Sequence, residues 1–246
     1  MPKTQLTIEA ADGAASAGLF HPPQGIGPAK AGVILYMDAF GPRQALDDMA
    51  ERLAGAGYLA LVPDLFYRHA PYGPFDATST FGDPEKGQQL RAIMQATPQD
   101  LTIRDGASFI TALSEHGASG PIGVVGYCMG GARALNAAAT YPDRIVAAAS
   151  FHGGNLASEA ADSPHLRAGE IKARIMVGSA GVDKSFPPEQ SARLAEALRA
   201  AEVDHILENY IGMAHGWAVP DHGVHDADGA ERHWRRLLQF FKETLG

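Results

Sequence analysis

The chain contains almost no cysteine, no excess of basic residues and no long hydrophobic run. Cys128 is the only cysteine in the 246 residues, so no internal disulfide can form and no oxidising compartment is implied. The 28 Asp and Glu residues outnumber the 20 Lys and Arg, and the formal charge of −8 argues against nucleic acid or an anionic membrane as the main partner. No apolar run approaches the roughly 18 residues of a membrane-spanning helix, and the N-terminal residues lack the pattern of a secretion signal. We therefore expect a cytoplasmic protein.

Short apolar runs alternate with amphipathic segments from residue 33 onward, a pattern typical of a parallel sheet covered by helices. The predicted strands are Thr4–Ala10, Ala17–His21, Val33–Met37, Leu59–Val62, Ile122–Gly126, Ile145–Phe151, Ile175–Gly178 and Ile206–Tyr210. The predicted helices are Arg43–Ala56, Pro84–Gln95, Pro98–His116, Gly130–Thr140, Pro188–Ala201 and Gly229–Leu245. The pattern predicts one α/β domain over residues 1–246, with a mainly parallel sheet of about eight strands and helices on both faces. Residues 65–83, rich in Pro, Gly and aromatics, form either a lid or pocket wall or an ordinary surface loop.

The segment Gly126-Tyr127-Cys128-Met129-Gly130 lies between a predicted strand and a predicted helix. It fits the pattern Gly-x-nucleophile-x-Gly, in which a sharp strand-to-helix turn exposes the nucleophile. The start of the following helix favours negative charge, and so favours the thiolate that acts as nucleophile. A lone cysteine is often a small buried hydrophobe. The flanking glycines and the strand–turn–helix context nevertheless favour a nucleophile at Cys128.

An acid and a histidine follow Cys128 in the order that this kind of turn predicts. Asp183 comes shortly after the strand Ile175–Gly178, and His215 shortly after the strand Ile206–Tyr210. His215 would take the thiol proton and later activate water, while Asp183 would fix the imidazole tautomer and stabilise the imidazolium. Such a set of residues predicts nucleophilic catalysis.

Other acids and histidines compete for these roles. Asp162 and Asp204 each precede a strand, where the fold does not place an active-site acid. His152 directly follows the strand Ile145–Phe151 and is a candidate for the substrate pocket, whereas we expect His222, His225 and His233 on the surface. The cluster around His222 and His225 matches no closed set of metal ligands, so neither a metal nor another cofactor is predicted.

Several segments together carry a family resemblance: Asp38–Gly41, Pro63–Phe66, Gly126–Gly131, Asp183 and Ala214–Gly216. With them the sequence resembles the dienelactone hydrolase family, a cysteine-using branch of the α/β-hydrolases, from about residue 4 to the C-terminus. The resemblance implies an α/β-hydrolase fold and hydrolysis of small carboxylic esters or lactones through a thioester acyl-enzyme. It implies a triad of Cys128, His215 and Asp183 and an oxyanion hole made by the backbone N–H groups of Met129 and Ala39. The side chains expected in the substrate pocket are Asp38, Phe40, Tyr127, His152 and Trp217.

Two positions differ from family members that act on dienelactone. Those proteins often have Glu, directed toward the thiol, where this chain has the shorter Asp38, so a contact of Asp38 with Cys128 is an open question. They also carry an Arg for the substrate carboxylate where this chain has Val219. Because a buried carboxylate without a cation is costly, the substitution favours a neutral ester or lactone over dienelactone.

Two other functional readings remain open from the residues alone. The chain could be a catalytically silent relative that binds a small molecule or a partner, although all three triad residue types are present in order. It could also catalyse acyl transfer or thioester cleavage, because both pass through the same acyl-enzyme. Both a monomer and a homodimer agree with the sequence.

Overall fold

The computed structural model describes residues 3–25, 27–29 and 31–246, and its centre is an eight-stranded sheet. The strands are β1 (Lys3–Ala10), β2 (Gly13–Phe20), β3 (Gly32–Tyr36), β4 (Leu59–Pro63), β5 (Ile122–Tyr127), β6 (Ile145–Phe151), β7 (Arg174–Val182) and β8 (His205–Ala214). The helices are α1 (Gln44–Gly55), α2 (Pro84–Gln95), α3 (Gln99–Glu115), α4 (Met129–Thr140), α5 (Pro188–Ala200) and α6 (Ala227–Leu245). Short 3₁₀ turns cover Tyr67–His69, Thr80–Gly82 and Pro164–Glu170.

The strands lie in the order β1-β2-β4-β3-β5-β6-β7-β8. The β1–β2 and β2–β4 pairs are antiparallel, and every pair from β4 to β8 is parallel. Strands β3, β4 and β5 are buried along their whole length, as expected for strands covered on both sides. The predicted mainly parallel sheet is therefore confirmed.

Two glycines of β5 show that helices cover both faces. A side-chain carbon at Gly123 would meet Phe241 and Leu245 of α6, whereas one at Gly126 would meet the backbone of Gly130 in α4. Residues three apart in a strand point to opposite sides of the sheet. Helices α6 and α4 therefore pack on opposite faces, as the sequence predicted.

Strands β7 and β8 run further than the apolar pattern predicted. Their pairing continues to Val182 and Ala214, past the predicted ends at Gly178 and Tyr210. Val182 is 68% exposed and Ile211 77% exposed, so this extension lies outside the core. A pattern of buried residues cannot predict pairing that continues into solvent, which explains the difference.

The carboxyl ends of the parallel strands lie at one edge of the sheet, where ligand sites of this architecture occur. Asp38 follows β3, Cys128 follows β5, His152 follows β6, Asp183 follows β7 and His215 follows β8. The topology thus gathers the candidate residues at this edge. None of the helices in the described ranges has the length and apolar character needed to cross a membrane.

Candidate active site

Cys128 occupies a strained turn between β5 and α4, with φ 53° and ψ −116°. Few residues other than glycine adopt such backbone angles, and they persist where the surrounding structure imposes them. Close packing imposes them here, because a side-chain carbon at Gly126, Gly130 or Gly131 would lie closer to neighbouring atoms than real contacts allow. The glycines let the turn fold tightly against β3 and the end of β6. Cys128 is partly exposed at the top of this turn.

His215 and Asp183 meet beside Cys128. His215 donates from Nδ1 to Oδ2 of Asp183 over 2.7 Å. The other oxygen, Oδ1, accepts from the backbone N–H of Ser185 at 2.8 Å and from its hydroxyl at 2.6 Å. The Asp183 side chain is almost fully buried, and these three hydrogen bonds fix its orientation. The arrangement leaves Nε2 of His215 for the thiol.

The charges of this pair stabilise each other. Burial disfavours the imidazolium of His215, but hydrogen bonds to Asp183 and Cys128 outweigh it and raise the pKa of His215 to about 10. Burial likewise disfavours the Asp183 carboxylate, yet hydrogen bonds from His215 and Ser185 lower its pKa below the usual value. At neutral pH the pair is therefore imidazolium and carboxylate.

His152 contacts the backbone of Cys128. Its Nδ1 accepts the backbone N–H of Cys128 at 3.1 Å, so the ring carries its proton on Nε2. The ring is fully buried and packs edge-on against His215, with 5.2 Å between ring centroids. Burial and the neighbouring His215 hold the pKa of His152 well below its ordinary value, so it is neutral. His152 thus supports the turn without adding charge.

The backbone N–H groups of Met129 and Ala39 are the two that the resemblance implied for an oxyanion hole. Met129 begins α4, so its N–H has no partner within the helix, and Ala39 follows β3 in the adjacent loop. Within the described ranges, neither N–H donates to another protein group. Both remain free for an oxygen that develops negative charge.

Asp38 is bound to groups other than the thiol. Its Oδ1 accepts from Arg43 at 2.7 Å and from the N–H of Phe40 at 3.0 Å. Its Oδ2 accepts from Arg43 at 2.8 Å and pairs with Nε2 of His222 at 3.0 Å. Burial opposes the carboxylate, but His222 and Arg43 lower its pKa to about 2. Asp38 thus anchors the loop that carries Ala39. None of these contacts involves Cys128.

A cavity of about 310 Å³ opens beside Cys128. Its wall includes Cys128, Met129, Arg133, Asn155, Ser185 and His215. The side chains expected to line the pocket are 6% exposed or less, and none belongs to this wall: Asp38, Phe40, Tyr127, His152 and Trp217. Phe40 lines a different cavity, beside Asp64 and Tyr72. The structure thus brings Cys128, His215 and Asp183 together, and it places the other five side chains outside the cavity wall.

Sequence reasoning missed Ser185 and Arg133. Ser185 is an ordinary polar residue two positions after Asp183, and no pattern distinguishes it from other loop serines. Arg133 has a detectable signal, since it is the one charged residue in the Ala-rich helix α4. The expectation that His222 and His233 lie on the surface was wrong. His233 is fully buried and bonds to the hydroxyl of Tyr127, and the His222 side chain is only 8% exposed because it pairs with Asp38.

Residues 65–83 do not contribute to the wall of the Cys128 cavity. Phe66, Tyr67 and Phe75 are buried in the core, while Phe81 is 52% exposed and packs edge-on against Phe40. Most aromatic residues of the segment therefore serve packing. Whether the segment acts as a lid stays a prediction.

Comparison with known proteins gives the family to which this chain belongs. Residues 17–245 match the dienelactone hydrolase family. A protein of Escherichia coli (strain K12), provisionally named carboxymethylenebutenolidase, is 27% identical over 230 residues, which cover 92% of this chain and 81% of that protein. The carboxymethylenebutenolidase of Pseudomonas sp. (strain P51) is 32% identical over 140 residues, 54% of each chain.

A solved structure from Klebsiella pneumoniae subsp. pneumoniae MGH 78578, provisionally named a dienelactone hydrolase, has the same fold. It superposes with a TM-score of 0.84 at 22% identity and covers 98% of both chains. The family match spans Cys128, Asp183 and His215. The chain therefore belongs to the dienelactone hydrolase family and is a hydrolase of small esters or lactones.

Proposed function

We propose that this hydrolase cleaves its ester or lactone through a covalent thioester on Cys128, with His215 and Asp183 as its catalytic partners. The observation that carries the proposal is the 2.7 Å hydrogen bond between Asp183 and His215, together with the position of His215 beside Cys128 on the wall of one cavity. A nucleophile, a base and a group that orients the base are the elements that acyl transfer requires.

The charge of His215 favours a thiolate as the attacking group. With a pKa of about 10, His215 is protonated at neutral pH and cannot serve as a base toward a neutral thiol. Its positive charge would stabilise the thiolate once the thiol has lost its proton. The N-terminus of α4 beneath Cys128 favours the negative charge that results.

The first half of the reaction forms the thioester. The Cys128 sulfur attacks the carbonyl carbon, and the carbonyl oxygen becomes an oxyanion held by the N–H groups of Met129 and Ala39. The C–O bond to the leaving oxygen breaks as His215 transfers its proton to that oxygen. The alcohol departs, or stays attached by its chain when the substrate is a lactone.

The second half releases the acid. His215 is now neutral and takes a proton from water, whose oxygen attacks the thioester carbon. The bond between carbon and sulfur breaks, the carboxylic acid leaves, and the thiolate–imidazolium pair is restored. Asp183 holds the ring in one tautomer throughout, so no other base is required.

The cavity volume limits the substrate to a small molecule. A volume of about 310 Å³ lies at the low end of the roughly 300–1,000 Å³ common for ligand pockets. Its walls combine apolar side chains such as Met94 and Pro98 with a few polar groups. Small esters and lactones fit this description.

The proposal is tested with p-nitrophenyl acetate hydrolysis by the wild type, Cys128→Ala and His215→Gln, each checked for folding by circular dichroism. We expect both variants to lose about 10³-fold or more in kcat/KM. The matched control is His225→Gln, because His225 is exposed and bonds only to the backbone of Trp217. Wild-type activity in Cys128→Ala would exclude the thioester route.

A further inference from the structure

A hydrogen-bonded network of four side chains joins the loop that carries Ala39 to the segment that follows His215. Its members are Asp38, Arg43, Asp221 and His222. The bonds between the two segments connect residues 178 to 184 positions apart in the chain. Among the residues that the structure describes, none of the four borders the Cys128 cavity, so a direct contact with substrate does not explain the network.

Arg43 uses all of its donors within the network and its own loop. Its Nε and one terminal nitrogen donate to the two oxygens of Asp221 at 2.6 and 2.8 Å. The terminal nitrogens also donate to the two oxygens of Asp38 at 2.7 and 2.8 Å, and one of them to the carbonyl of Gly41 at 3.2 Å. A guanidinium has five N–H groups, and these five bonds occupy all of them. Its planar fork therefore holds the two carboxylates in one geometry.

Asp38 restrains the peptide that contains the Ala39 N–H. Its side chain is fully buried, and its Oδ1 accepts the backbone N–H of Phe40 at 3.0 Å. The ring that this hydrogen bond closes includes the peptide between Asp38 and Ala39, so it limits how the Ala39 N–H can turn. With the bonds from Arg43 and His222, the carboxylate accepts four hydrogen bonds, which fills its capacity.

His222 contacts both segments with one ring. Asp38 is ionised, with a pKa of about 2, so Nε2 of His222 donates to its Oδ2 at 3.0 Å. A side-chain carbon at Gly216 would lie 2.3 Å from Nδ1 of His222, so the ring packs directly on the backbone of the residue after His215. Gly216 has a φ of 105°, which favours glycine, and the missing side chain lets the ring approach. The imidazole thus connects the two segments.

We propose that this network positions the oxyanion hole, with His222 as the link that fixes the Ala39 N–H relative to His215. The inference rests on the proposed function, because it takes the Ala39 N–H as a donor to the oxyanion. Such a donor stabilises the transition state only if it is in place before the charge develops. A displacement of about 1 Å at an active site costs about 10²-fold in rate, so a rigid link far from the substrate affects catalysis.

The test measures ester hydrolysis and thiol alkylation in His222→Phe, which keeps an aromatic ring and removes the donor to Asp38. With p-nitrophenyl acetate we expect kcat to fall about 10- to 100-fold and KM to stay unchanged, because an oxyanion forms in both half-reactions and not in the bound substrate. Iodoacetamide should alkylate Cys128 at the wild-type rate, because displacement of iodide forms no oxyanion. His222→Gln, whose amide can donate to Asp38, should recover most of the lost kcat.

The matched control is His225→Phe, the same substitution three positions further along the same segment. His225 is exposed, and its ring bonds to the carbonyl of Trp217. Hydrolysis and alkylation by this variant should both equal those of the wild type. A loss of kcat as large as that in His222→Phe would show that the contact of His222 with Asp38 is not the cause, and would overturn the inference.

A second variant covers the case in which His222→Phe does not fold. The Asp221 side chain is 38% exposed, and its substitution removes a charge that holds Arg43 without opening the core. Asp221→Asn should lower kcat by about 2- to 10-fold, again with the wild-type KM and alkylation rate. If only this variant folds, a wild-type kcat overturns the inference.

The outcomes separate this inference from the proposed function. A wild-type kcat in folded His222→Phe, or an alkylation rate that falls as far as kcat, refutes the positioning role and leaves the thioester route intact. Equal activity of Cys128→Ala and the wild type refutes the thioester route. Even then the kcat of His222→Phe decides the role of His222, because any nucleophile that attacks an ester carbonyl forms an oxyanion.

Discussion

Replacing Asp183 with asparagine removes the carboxylate that holds His215 but retains a side chain of the same shape. The 2.7 Å hydrogen bond between Asp183 and His215 joins two charged groups, and the Asp183 side chain is almost fully buried. A hydrogen bond to a charged group contributes about 1.5–3 kcal/mol, and one pKa unit corresponds to about 1.36 kcal/mol. Asp183→Asn should therefore lower the pKa of His215 by about 1–2 units.

The direction of the change follows from the charge that Asp183 stabilises. The pKa of His215 is raised from 6.5 to about 10 because its imidazolium is favoured in the folded protein, so removing the anion must lower it. The activity should fall by about 10³–10⁴-fold, because the amide no longer fixes the tautomer that the reaction requires.

The assay is an NMR titration of the histidine ring protons, with the His215 signal identified by its absence in His215→Gln. Asp162→Asn is the matched control, because Asp162 borders the same cavity and has no hydrogen bond to His215. The reasoning is refuted if the His215 midpoint is the same in Asp183→Asn as in the wild type, or if Asp162→Asn moves it as far.

Three further predictions follow from the same contacts. Ser185→Ala removes the 2.6 Å hydroxyl donor to Asp183 and should reduce kcat/KM about 10-fold, and unchanged kinetics would show that the hydroxyl is dispensable. Gly126→Ala forces a methyl group onto the backbone of Gly130 and should lower the free energy of unfolding by more than about 3 kcal/mol in a denaturant titration, whereas a change below 1 kcal/mol would contradict the packing described. The pKa of His215 is higher in the folded protein than in the unfolded chain. Its contribution to stability is therefore complete below about pH 6.5 and is lost as the pH rises toward 10. Melting temperatures measured over this pH range should show the loss in the wild type and not in His215→Gln.

The order of elements and the positions of Cys128, Asp183 and His215 could be read from local sequence. The close packing of one turn requires glycine at Gly126, Gly130 and Gly131. These glycines are close together in the sequence, so their pattern can be recognised without the structure. Asp183 and His215 could be found because each follows a parallel strand, and the carboxyl ends of those strands converge on one edge.

The wall of the cavity could not be predicted in the same way. Position after a strand does not say which side of a loop faces the substrate, and Tyr127 and Trp217 point into the core. Arg133 lies inside a helix. Its hydrogen-bond partners include Thr97 and Thr102, which are distant from it in sequence. The contacts of Asp38 could not be predicted because one of its two charged partners, His222, lies 184 residues away along the chain.

The central claim is that the acyl group passes through the Cys128 sulfur. The most direct test mixes the enzyme with p-nitrophenyl acetate, quenches the reaction in acid within the first turnovers, and measures the mass of the intact protein and of its peptides. We expect an acetyl group on the peptide that contains Cys128. Neutral hydroxylamine should remove this group, as it does for a thioester. The corresponding peptide of Cys128→Ser should carry no group that neutral hydroxylamine removes. Full turnover with no acetyl group on Cys128, or with the acetyl group on another residue, would contradict the account.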